Sequence, residues 1–290
     1  MSDTSQMLAL YGEKALFYEV SLAPKPGLVD PFSNGAHSDM DFRTFRRSIE
    51  SLAPFFKRYA EAGRQHTGSP ETLFHKVREI GKQAEADMLA ATQNINTHKG
   101  ANFSFALLIS STGYYLQSHT LPLQAQDSAR ILRFASEMAA QALAKDLQLI
   151  KKKQTLTHGE KLYAEKGING IRGEAINGYP ALSQLLLPFL RRPSSDSAEI
   201  RLLRGLILLM GHIEDSNLIH RGGIAAWKHI KKESQLLHAE SLPKNQFVTY
   251  LNQLDQKMIR LNLSPGGAAD LLSLGIYFAF LEELLSLPSE

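Results

Sequence analysis

Glu214 and Asp215 are adjacent acids at the end of an apolar run, Leu202 to Met210, with Asn217, His220 and Arg221 just beyond them. Acids are unfavourable at a helix C-terminus, where the dipole is negative. A Mg²⁺ ion held by carboxylate and amide oxygen and shared with phosphates offsets that cost, so Asp215 and Asn217 are the candidate ligands. His220-Arg221 beside Gly222-Gly223 adds a cationic fork for phosphate oxygens.

Four more polar clusters interrupt the chain. Glu19 to Asp30 continues to Asp41 and holds Lys25 between two prolines, which force that residue to be extended, in a loop too rich in titratable groups for a plain connector. Its aspartates also suit helix caps, Asp41 above all. His98-Lys99 beside Asn102 is either a solvated helix start or a place where Lys99 meets a phosphate. Thr157 and Glu160 fit a capping box, and Gly170 to Ala175 follows them. Ser264-Pro265 is a plain helix start, but Gly266-Gly267 in a first turn weakens a helix and suits close approach of phosphate.

The elements that must position these clusters are helical. Apolar residues recur at helical spacing over 7–20, 41–61, 69–94, 98–116, 127–150, 157–166, 172–190, 196–215, 223–239, 243–261 and 265–287. A bend is expected at Pro54. No period-two strand, hairpin signal, repeat or interdomain linker interrupts the pattern. The expectation is an all-α fold, a single domain of roughly ten to twelve helices across residues 1–290.

Composition narrows the chemistry. There are no cysteines among the 290 residues, which excludes disulfides, thiolate catalysis and Cys-ligated zinc. The net charge of +3 is scattered, which argues against nucleic acid but suits a polyanionic small molecule. No apolar run is long enough for a membrane span and no signal peptide is visible, so a soluble cytoplasmic protein is expected. Neither G-x-x-x-x-G-K-[ST], nor G-x-G-x-x-G after a strand, nor H-E-x-x-H occurs. Residue chemistry alone thus points to an all-α enzyme that binds a phosphorylated substrate with Mg²⁺ and works through carboxylates.

These blocks together resemble the triphosphoribosyl-dephospho-CoA synthase family. The matching stretches are Glu19-Val20-Ser21, Pro24 to Asp30, Asn34 to Met40, Thr97 to Ala101, His158 to Glu160, Arg172 to Ala175, Asp215 to Asn217, His220 to Gly223 and Ser264 to Asp270. They run in family order along nearly the whole chain. Ala23, Ser216 and Ala268 depart from the family pattern without removing a titratable group.

The resemblance implies an all-α transferase that takes ATP and 3′-dephospho-CoA and gives 2′-(5″-triphosphoribosyl)-3′-dephospho-CoA and adenine. The product would pass to a prosthetic-group transferase serving the acyl-carrier subunit of citrate lyase or malonate decarboxylase. A homo-oligomer is compatible with it. On this resemblance Glu174, Asp30 and Glu160 compete as general base, with Glu174 ranked first. His37 and Asp39 would position the ribose or protonate adenine. Lys25, Lys99 and Arg221 with Mg²⁺ would clamp the triphosphate, and Asp270 would help Asp215 and Asn217 hold the metal. Asn34, His98, Arg172, His220, Ser264, Gly266 and Gly267 would complete the substrate surface. The alternatives are a Mg²⁺-dependent N-glycosidase of the ADP-ribosyl hydrolase type, with water as acceptor, and an all-α binding module for a CoA-like ligand.

Overall fold

The computed structural model describes residues 4–150, 156, 167–168 and 170–287. Every regular element among them is a helix. In chain order these are α1 (Thr4–Ser21), α2 (Phe42–Arg64), α3 (Pro70–Ala91), α4 (Lys99–Tyr115), α5 (Ala125–Ile150) and α6 (Gly170–Ile176). A π-helical turn (Ala181–Leu186) then runs into α7 (Leu187–Arg191), followed by α8 (Ala198–Met210), α9 (Ser216–Glu240), α10 (Lys244–Arg260) and α11 (Gly266–Leu281). The all-α expectation holds.

Two helices that are apolar on all sides lie at the centre, as their sequences require. In α4 nearly every residue from Ala101 to Gly113 is buried, and in α11 the same is true from Leu271 to Leu281. Around them α1 packs on α2 and α11, α2 packs on α4, and α3 and α5 cover the far side of α4. The N-termini of α4 and α11 therefore open on the same side of the core, and α9 begins beside them.

The start signals read from sequence are real. Asp41 caps α2 in a reciprocal box with Thr44, and Ser69 caps α3 with Pro70 in its first turn. Pro54 sits inside α2 without ending it.

Four boundaries differ from expectation. The helix expected over 172–190 is broken after Ile176, where Gly178 and Tyr179 take positive φ before Pro180; proline disfavours helix in its predecessor. The helix expected to reach Asp215 ends at Met210. The next begins at Ser216 rather than Gly223, and Gly223 (φ 76°, ψ 175°) marks a kink inside it. The last helix closes at Leu281 rather than Leu287. The short helix expected over 157–166 lies outside the described residues.

Candidate active site

The first turns of α4, α6, α9 and α11, with the loop after α1, surround a cavity of about 920 Å³, a size suited to nucleotides. Four of the five polar clusters enter it through helix N-termini.

Asp215 is the joint of this arrangement, and its position corrects the reasoning that made it a metal ligand. It does not end a helix; it N-caps α9, where the dipole favours a carboxylate. Its Oδ1 accepts from the amides of Asn217 and Leu218, both at 3.0 Å. Its Oδ2 accepts from the Ala268 amide at 2.9 Å, in the first turn of α11. The carboxylate is 3% exposed, so burial raises its pKa against the opposing pull of the amides. Gly267 fits tightly here: a Cβ would lie 3.1 Å from Asp215 Oδ2. At Gly266 a Cβ would lie 2.6 Å from the Asn217 amide nitrogen. The glycine pair thus lets α11 meet α9 and leaves both glycines on the cavity wall.

Both oxygens of Asp215 are thus engaged by backbone amides, and its placement as a helix cap removes the reason that made it a metal ligand. Among the described residues no group of three or more His, Asp or Glu side chains is arranged to hold a metal.

Asp270 lies one turn further along α11 and faces the cavity. A Cβ on Gly100, in the first turn of α4, would lie 2.3 Å from its Oδ2, so glycine is what admits this carboxyl. Burial, then the carboxylates of Glu19 and Asp215, raise its pKa well above the usual carboxylate range. Glu174, on α6, is another carboxyl on the wall, which also carries Glu19, Asp39 and Glu214. Burial raises the Glu174 pKa too, opposed by a 3.0 Å bond from the Ala181 amide to Oε2.

The loop after α1 is tied down from within. Lys25 is not a free clamp: it is 1% exposed and its Nζ donates to Glu19 Oε1 at 2.6 Å. Asp30 is not on the cavity; its Oδ1 accepts from the amides of Phe32 (2.8 Å) and Ser33 (2.9 Å), closing a turn. Asn34 is exposed on the same loop and does not line the cavity. His37 does line it, donor or acceptor to Ser264 Oγ at 3.0 Å from Nε2. Burial and the Arg221 guanidinium lower its pKa, against the pull of Asp39 at the rim.

The remaining cations are also committed. Arg221 donates to the carbonyls of Asn262 and Ala36, stitching the loop to the turn between α10 and α11. Lys99 pairs with Glu85 at the cavity mouth. Arg172 does not line the cavity although its neighbours Ile171 and Gly173 do. His98, His220 and Asn217 face it. Glu160 lies outside the described residues.

Glu19, which lines the cavity and holds Lys25, is a site residue that its motif alone did not reveal. Its signal was available: an acid between Leu16 and Val20, on the buried face of α1, needs a buried partner.

The site is an all-α cavity of nucleotide size, walled by helix N-termini and by buried carboxyls. The comparisons make this specific. Residues 5–289 match the family described as ATP:dephospho-CoA triphosphoribosyl transferase. A Streptococcus mutans protein named "Probable 2-(5''-triphosphoribosyl)-3'-dephosphocoenzyme-A synthase" is 49% identical over 287 residues, 96% of this chain and 97% of that one. A Streptococcus equi subsp. zooepidemicus protein of the same name is 47% identical over 280 residues, 94% and 95% of the two chains. The chain belongs to the ATP:dephospho-CoA triphosphoribosyl transferase family and is a transferase. No solved structure matches it. No described helix is long and apolar enough to cross a membrane.

Proposed function

We propose that this chain joins the triphosphoribosyl group of ATP to the 2′-hydroxyl of 3′-dephospho-CoA and releases adenine. The relatives' names supply the substrates. The observation that carries the chemistry is that Glu174 and Asp270 face one cavity and both hold protons more tightly than ordinary carboxylates.

The reaction breaks the bond from the anomeric carbon of ATP to adenine N9 and forms one from that carbon to the acceptor oxygen. One proton leaves the 2′-hydroxyl and one reaches adenine. The transition state is oxocarbenium-like, as in glycoside hydrolysis, which runs on two carboxyl groups with different proton affinities. Asp270, raised the further by its carboxylate neighbours, stays protonated and gives its proton to adenine. Glu174, raised by burial alone, ionises first and takes the proton of the 2′-hydroxyl. Solvent exchange then restores the starting states. ATP enters as its Mg²⁺ complex, the metal arriving with the triphosphate as part of the substrate. His37, held by Ser264, orients the ribose. The product carries the phosphates intact, ready for a transferase that loads it onto an acyl-carrier subunit.

The test is adenine release from ATP with Mg²⁺, with and without dephospho-CoA. Release only in its presence is expected. Release in its absence would instead identify a hydrolase, and no release in either case a binding module.

A further inference from the structure

His98 opens α4, and its side chain does not cap that helix. It lines the cavity while being 3% exposed. Its Nδ1 lies 2.7 Å from Ser48 Oγ. Thr97 Oγ1 in turn donates to Ser48 Oγ at 2.7 Å. A hydroxyl has one hydrogen and accepts at its lone pairs. With Thr97 donating to Ser48, the Ser48 hydrogen is free to go to His98, and a chain running in that direction makes Nδ1 the acceptor and places the ring hydrogen on Nε2.

Nε2 is buried and has no hydrogen-bond partner among the described residues. Burial and the Lys25 ammonium push the imidazole pKa down to about 3, so the ring is neutral at working pH. Phe45 stands edge-on against it, ring centres 4.9 Å apart, and limits its rotation. A buried N–H left without an acceptor is costly and calls for a partner. The first turn of α4, with its backbone N–H groups and positive dipole end, lies on the same wall.

We propose that His98 is a substrate-binding donor, its Nε2–H reserved for a phosphate oxygen of a bound substrate, and that Ser48 and Thr97 are positioning residues that fix its tautomer. This rests on the transferase reading for the identity of the substrates, but the tautomer belongs to the free protein. A neutral N–H donor holds a phosphate oxygen without adding a charge beside Lys25. It also keeps the ring from competing with Asp270 as the proton donor to adenine.

The experiment is nitrogen-15 NMR of the histidine-labelled protein, alone and with ATP, dephospho-CoA or inorganic tripolyphosphate added separately. The expected free-protein spectrum shows His98 neutral and protonated on Nε2, without titration through the neutral range. The Nε2–H proton should then move downfield with whichever additive supplies the phosphate, which distinguishes nucleotide triphosphate from the dephospho-CoA diphosphate. Ser48→Ala should give mixed tautomers and raise KM about tenfold with little change in kcat, and Ser48→Thr should restore both. A ring protonated on Nδ1, or an Nε2–H that responds to none of the additives, overturns the proposal. None of these spectra depends on turnover, so a failed adenine assay and a failed His98 assignment remain separate results.

Discussion

Asp215→Asn and Asp215→Ala separate the two tasks of the carboxylate that joins α9 to α11. Asparagine caps helices about as well as aspartate, so the bonds from Asn217 and Leu218 survive in the first variant. Its amide group, however, turns N–H toward the Ala268 N–H that Oδ2 accepts. Losing a charge-assisted bond in a buried setting costs about 1.5–3 kcal/mol. Alanine loses that bond and the α9 cap, a further cost of about 1 kcal/mol, for a total of about 2.5–4 kcal/mol. At about 2 °C per kcal/mol for a chain of this size, the melting temperature should fall by about 4 °C for asparagine and about 7 °C for alanine. Urea unfolding followed by circular dichroism, in the absence of Mg²⁺, reads the same loss directly. If both variants unfold like the wild type and their activity returns as Mg²⁺ is raised, the cap is not what Asp215 does and a metal role is restored.

Other perturbations bear on the same cavity. Lys25→Met strands the buried Glu19 and should cost about 3–5 kcal/mol in thermal unfolding, most of it recovered in the Glu19→Gln/Lys25→Met pair. Because burial holds the Glu19 pKa above its unfolded value, the single variant should lose stability as pH rises, not as it falls. Glu174→Gln and Asp270→Asn should each lower kcat for adenine release by about 10²–10⁴ while folding is kept. The wild-type rate should fall as pH drops through the raised Glu174 pKa, which protonates the base. It should fall again as pH rises through the higher Asp270 pKa, which removes the acid; each limb should vanish in the matching variant. Gly100→Ala forces the Asp270 carboxyl aside and should cut kcat more than it raises KM, measured with both substrates varied.

Helical periodicity was legible because α2, α3 and α8 carry plain caps and one apolar face, and α4 and α11 are apolar throughout. The break at Tyr179 was signalled by Gly178 and Pro180 but hidden by the apolar spacing on either side. The case for Asp215 as a metal ligand rested on one misplaced helix boundary. Once α8 stops at Met210, the same aspartate changes from a misplaced acid at a C-terminus to a favourable cap, and the reason for a metal ion disappears. Lys25 and Arg221 were read as free cations because sequence shows a charge but not its partner; Glu19 sits close in sequence, at the end of the helix before Lys25, and the carbonyls of Ala36 and Asn262 lie far along the chain from Arg221. Glu174 and Asp270 were legible as candidates, yet the proposed division into base and acid needed the neighbours that only packing supplies.

The central claim is that ATP gives up adenine while its triphosphate stays on the transferred ribose. Incubating the chain with Mg²⁺, dephospho-CoA and ATP labelled on the γ-phosphate tests it most directly. The expected result is one label in the dephospho-CoA product for every adenine released, with none as free phosphate. Adenine release with the label left on free ribose triphosphate, or label appearing as inorganic phosphate, would contradict it.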